Sequence, residues 1–255
     1  MEVHHHPIAT GSHTSRKKWT HYFWEFLMLF LAVFCGFLAE NQREHMIEHQ
    51  REKKYAQTLY EDLKVDTSLL NAAINERNFI NPKIDSFRML VHTKAIDEVP
   101  AGTWAYFGRF GTRNTIVSVQ DATLQQLINS GGLRLFKKQN VADGIAQFDQ
   151  SLRDMKETFA FQDLMYSDMV KARNAIFDAW YLDEIMDLNA GSERIDSFKK
   201  KSFPLVSNKK EDFINYANLC QLRSFNLKYS LARIETVARR AEKLLALLKE
   251  EYHLQ

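Results

Sequence analysis

His45 and His49 stand one helical turn apart, with Glu44 and Glu48 beside them. Two imidazoles at i, i+4 on one helix face can hold a divalent metal, as in HExxH helices, but that motif is absent here. Their segment, Glu40–Lys54 (ENQREHMIEHQREKK), has almost no apolar face, so they read as a solvated, charge-paired helix surface. His4, His5, His6 and His13 form a second group near the N-terminus. Clustered histidines can bind transition metals, but this spacing closes no site and reads as a solvated tail. A di-metal helical bundle needs Glu-x-x-His pairs on facing helices, and past residue 54 only His92 and His253 remain. There is no Walker-type glycine loop and no nucleophile motif. The expectation is a protein that is not an enzyme, with no catalytic residue, cofactor or metal.

The element that must position everything else is Trp19–Ala39, WTHYFWEFLMLFLAVFCGFLA. As a helix it would be about 32 Å long, which matches a hydrocarbon core of about 30 Å. From Phe26 to Ala39 it carries no charge, and Trp19, Tyr22 and Trp24 at one end suit the headgroup layer. Cleavage after Ala39 would put the bulky Phe37 at the −3 position, and Phe34 before Cys35 is too large for a lipoprotein signal. A retained transmembrane helix is therefore expected. Arg16, Lys17 and Lys18 favour a cytoplasmic N-terminus; Arg43, Arg51, Lys53 and Lys54 are also positive, but large domains translocate largely regardless of charge. This places the remainder outside the cytoplasmic membrane.

The span has two faces. Phe23, Phe26, Phe30, Phe34 and Phe37 make a bulky stripe, and Met28, Ala32, Gly36 and Ala39 make a second one in line with Glu25. Small residues four apart let another helix approach closely in lipid. Glu25 is costly facing lipid, so it either meets a partner helix or snorkels to the interface, towards His21. Glu25, Ala32, Gly36 and Ala39 are the candidate partner-helix contacts.

The 255 residues allow one anchor and one sizeable domain, and a net charge of +2 makes no call on nucleic acid. Few glycines and prolines suit a helix-rich chain. Cys35 and Cys220 are too isolated for a disulfide framework. The expected organisation is a cytoplasmic tail (1–18), the span (19–39), a helical stalk (40–54) and a helical-bundle domain (55–255). Ala56, Leu59, Leu63, Leu70, Ala73 and Ile74 start the bundle at helical spacing, and Asn81-Pro82 is expected to end that helix. Lys83–His92 then reads as a short separate helix. Residues 100–116, rich in glycine and rings, read as an irregular loop. Trp104, Tyr106, Phe107 and Phe110 in it are either a ligand-binding loop or rings that plug the end of the bundle.

Ser118 or Asp121 can cap a helix that Gly131-Gly132 stops, with Leu124, Leu127 and Ile128 inward. Lys137–Leu188 reads as one long helical region whose stripe runs from Val141 through Tyr166 and Ile176 to Trp180. Gly191–Asn208, with Lys199, Lys200 and Lys201, reads as a linker whose lysines are solvated or touch anionic lipid. Lys209–Tyr252 is the cleanest helix, with Phe213, Ala217, Cys220, Ser224, Leu227, Leu231, Ile234, Ala238, Ala241, Leu245 and Leu248 in heptad rhythm. The fold expected is all-α: a single N-terminal transmembrane helix continuing into a stalk and an elongated antiparallel helical bundle.

MEVHHHP at Met1–Pro7, EFLMLFLAVFCGFLAENQRE at Glu25–Glu44, YAQTLYEDLKVD at Tyr55–Asp66 and TLQQLINSGGLRLFKKQ at Thr123–Gln139 carry a likeness to known sequences. Through them the chain resembles the uncharacterised single-pass membrane proteins common in Bacteroidetes-type bacteria. The resemblance implies an inner-membrane protein with a helical domain and supplies no activity. The expected function is a membrane-anchored, non-catalytic scaffold or accessory subunit. Its partners would be the lipid bilayer and either another membrane protein or further copies of itself. The alternative is a periplasmic ligand-binding sensor that uses residues 104–110.

Overall fold

The computed structural model describes residues 15–163, 165–185 and 191–255. The histidines of the tail, and the end of the 137–188 stretch, lie outside the described residues. Those described contain no strand, and the chain is all-α. Among the described residues seven α-helices follow one another: α1 (Ser15–Thr93), α2 (Ala101–Gly108), α3 (Ala122–Asn129), α4 (Gln139–Asp163), α5 (Tyr166–Asn174), α6 (Ser192–Lys199) and α7 (Lys210–Tyr252). Short 3-10 turns at Ile96–Glu98, Gly132–Leu135 and Ala179–Ile185 join them. The chain divides into two compact units, Met1–Glu52 and Lys53–Gln255.

In the second unit α1 does not stop at Pro82 but runs on to Thr93. The proline leaves one carbonyl without its amide and costs about 3 kcal/mol inside a helix. Ile80, Ile84, Phe87 and Val91 continue the inward stripe across it, all fully buried. Burying four such side chains is worth roughly 1.5–3 kcal/mol each, so packing overrides the local signal. Lys83–His92 is therefore the end of α1 rather than a separate helix.

Two apolar cores lie along α1 and α7. The first joins Ala56–Ala73 of α1 to Leu124 and Leu127 of α3, Val141–Met155 of α4 and Ile234–Leu248 of α7. The second joins Ile80–Val91 of α1 to the rings of α2, to Met169 and Ala172 of α5, to Ile176, Phe177, Leu182 and Ile185, to Phe198 of α6 and to Phe213–Leu227 of α7. On α7 the buried set includes Tyr216, Arg223, Ser230, Val237 and Leu244, while Leu231 and Leu245 are only half-buried. The inward stripe is thus broader than a two-position seam, and is that of a bundle helix touched on two sides.

Three connections differ from expectation. Residues 100–116 are not a loop throughout, since Ala101–Gly108 is helical. Gly102 allows this, because a Cβ there would collide with the Phe198 carbonyl of α6, and its own N–H donates to Lys201 O at 2.9 Å. The 137–188 stretch is broken into α4, α5 and a 3-10 turn. Leaving the helix after Asn174 lets Ile176 and Phe177 both reach the second core, with Ile176 O held by the Val206 N–H, and it turns Trp180 out to 77% exposure. The expected 191–208 linker contains α6, fixed by buried Phe198. By contrast α3 stops where expected, at Gly131 with φ +67°, although the Asp121 side chain pairs with Lys156 instead of capping.

Candidate functional site

Every described side chain from Trp19 to Ala39 is exposed, apart from half-buried Leu27. Phe26, Phe30 and Phe34 stack along the helix with centroids 6.3 and 5.8 Å apart. Glu25, Ala32, Gly36 and Ala39 are equally open, and a Cβ on Gly36 would meet nothing within 4 Å. α1 is long and apolar enough here to cross a membrane. Lipid or a neighbouring helix can cover this surface; water covers it only at a cost of about 25 cal/mol per Å² of apolar area. Just beyond it, Arg43 donates to Glu40, and His45 and His49 reach the carboxylates of Glu48 and Glu52 at 3.8 and 3.5 Å. The two imidazoles thus each face a carboxylate three residues on. Among the described residues no three His, Cys, Asp or Glu side chains gather as a metal-binding group.

The four rings singled out in 104–110 do come together, but inside the second core. Trp104, Tyr106 and Phe110 are buried and Phe107 is half-buried. Trp104 packs edge-on against Phe213 at 5.0 Å and donates its indole N–H to Ile96 O at 3.1 Å. The Lys199 ammonium sits 4.6 Å from the Tyr106 ring centroid, and the Arg109 guanidinium 4.8 Å from that of Phe110. Lys201 binds Glu184 at 2.7 Å, so two of the three lysines of the basic run are engaged within the domain. A cleft of about 930 Å³ opens beside α2, between residues 95–101 and 202–205, and none of the four rings lines it.

A polar layer separates the two cores, and sequence reasoning missed it. Arg77 is fully buried between Leu70 and Ile84. It donates to Ser230 Oγ, Ala73 O and Thr115 O at 3.3–3.4 Å and lies 5.3 Å from the Phe159 ring centroid. Burial, then the charge of nearby Arg223, pushes its pKa down to about 10. Arg223 donates to Arg113 O, and Ser224 to Asn81 Oδ1 and Asp85 Oδ1. Asp66, buried on α1, accepts the Gln120 N–H at 2.7 Å. Its pKa is pushed up to about 6 by burial, with Asp62 and Asp121 adding to the effect. Together these groups strap residues 113–120 along α1. One sequence signal was available: Leu63, Leu70, Ile84 and Val91 are multiples of seven apart, and Arg77 occupies the missing position of that series.

Deep in the second core, Tyr216 donates to Gly108 O at 2.6 Å and the Cys220 thiol is pushed up to about 12 by burial. A thiol so protonated is a poor nucleophile at neutral pH. Comparison with family models, with curated proteins and with solved structures gives no match for this chain.

Proposed function

We propose that this chain is a membrane-anchored, non-catalytic scaffold or accessory subunit of a bacterial inner-membrane complex, with its N-terminus cytoplasmic and its helical domain periplasmic. One observation carries the reading: the apolar side chains of Trp19–Ala39 are exposed along their helix, while the domain buries its own rings thoroughly. A chain that packs Trp104, Phe87 and Phe213 out of water leaves Trp19, Phe26 and Phe30 out only if something other than water meets them. The small face Ala32, Gly36 and Ala39 then serves a neighbouring helix, with Glu25 at its end as the polar contact.

The sensor reading has less support, because the rings it needs are spent on the core and the neighbouring cleft is lined without them. The test is purification of the full chain from its native membrane in mild detergent, with mass and composition measured together. The expected result is a particle heavier than one chain. A lone monomer that brings nothing with it overturns the scaffold reading, and recovery in the soluble fraction overturns the anchor. Protease added outside intact spheroplasts should digest the domain; protection would reverse the orientation.

A further inference from the structure

The cleft beside α2 lies where α1 ends and α7 begins. Its volume of about 930 Å³ is near the top of the range of roughly 300–1,000 Å³ usual for ligand pockets. Its walls are two connections, 95–101 and 202–208, and Ile96, Val99, Phe203 and Leu205 give it an apolar lining, each half-buried. Phe203 is held in place by the Tyr181 ring, stacked on it at 4.5 Å and 7°. The backbone along these walls is unspent. Among the described residues the N–H groups of Ser202, Phe203 and Leu205 donate no hydrogen bond, and the carbonyls from Ser202 to Leu205 accept none. Val99 is free at both its N–H and its carbonyl and is extended, at φ −123° and ψ 128°. Pro100 and Pro204 keep the residues before them out of the helical region, so neither wall can pair its backbone by coiling. The charge of the lining is also one-sided. Lys210 turns its ammonium to the end of α1, donating to Val91 O and to Lys94 O, the latter at 2.8 Å. The Asp97 carboxylate has no partner among the described residues, and Glu98 meets only Lys94, at 4.0 Å.

We infer that this cleft binds an extended peptide segment of a partner protein, one that carries a lysine or arginine beside apolar residues. The inference rests on the scaffold reading above and gives the partner its chemistry. A row of free N–H and C=O groups is matched by another backbone, which offers acceptors and donors at the same intervals. A compact small molecule would instead call for a few polar groups converging on one point. In an extended segment alternate side chains point the same way. One set therefore meets Phe203, Leu205, Ile96 and Val99, while the other stays at the rim. There the uncompensated carboxylates of Asp97 and Glu98 select a cationic side chain and reject an acidic one. The lysines at 199–201 do not line the cleft, so they do not offset these two acids at its mouth.

The test selects phage-displayed random nonapeptides on the full chain in mild detergent, then measures a selected peptide by fluorescence anisotropy. The expected peptides pair Lys or Arg with apolar residues, and their binding weakens as salt is added. Asp97→Asn combined with Glu98→Gln should weaken binding roughly tenfold and leave the melting temperature unchanged, since both side chains are exposed. N-methylation of alternate amides in the peptide should also cost about tenfold, because it removes the backbone donors while keeping every side chain. Binding that survives either change overturns the inference, as does selection of acidic peptides or of none above background. Those failures leave the scaffold reading standing. Recovery of the chain in the soluble fraction overturns the scaffold reading instead, and leaves the peptide measurement intact.

Discussion

The two cores of the domain share α1 and α7 but are built in different ways. The first is mostly aliphatic, and its walls are helices long enough to show their inward stripe: Val141, Ile145, Phe148, Leu152 and Met155 recur on α4 as regularly as Leu59, Leu63 and Leu70 do on α1. The second is aromatic and is closed by short pieces. Phe87 touches Trp104, Phe177, Phe213 and Tyr216 with centroids 5.3 to 6.5 Å apart, and those partners come from three separate segments besides α1. Long helices make a core out of periodic burial. Short ones make it out of large rings, each burying about 150–250 Å² from a single position. Between the two, Arg77 and its hydrogen-bonded neighbours interrupt the apolar stripe where the strap 113–120 crosses α1.

This contrast can be broken by substitution. Trp104→Ala removes the largest fully buried side chain and should cost about 3–5 kcal/mol, read as a loss of denaturant midpoint. An effect under about 1 kcal/mol would mean that the second core does not hang on its rings. Asp66→Asn should act through pH. Because the folded pKa, about 6, lies above the ordinary 3.8, the favourable contribution is fully present below pH 3.8 and is lost as pH rises through 6. The difference is on the order of 2–3 kcal/mol. The amide that replaces the carboxylate keeps an acceptor for the Gln120 N–H, so the variant should gain on the wild type as the pH rises from about 4 to 6 and hold that gain above it. Parallel stability–pH curves would refute the assignment.

At the polar layer, Arg77→Ala leaves Thr115 O short of its donor and should cost roughly 1–3 kcal/mol. Arg77→Met, which keeps the volume and removes the buried charge, should cost less than the alanine variant. The smallest effect is expected in the aliphatic core: Ile145→Val should lower stability by about 0.5–1.5 kcal/mol, with the melting curve still a single transition.

The sequence could be read where burial is periodic. The stripes of α1 up to Ile74, of α3 and of α4, and the extent of α7 to within a residue, all follow from spacing, because each long helix repeats its inward face several times. The apolar run of Trp19–Ala39 was equally legible from composition, and its helix is long and apolar enough for a membrane. Reading failed where one contact decides. Pro82 carries a local stop signal that only the buried Ile80, Ile84 and Phe87 override. The rings of 104–110 looked like a loop because a two-turn helix repeats too little to declare itself. Trp180 fitted the helical phase and was turned outward when the chain left the helix to bury Phe177.

What the residue order determined alone was therefore the all-α class, the apolar segment and the faces of the long helices, since these depend on local periodicity and on transfer from water. The tertiary structure decided which short segments close the second core, where the buried charges of Arg77 and Asp66 find their partners, and which face of α1 stays outward. Those outcomes depend on groups that the chain brings together from 38 to 153 residues away.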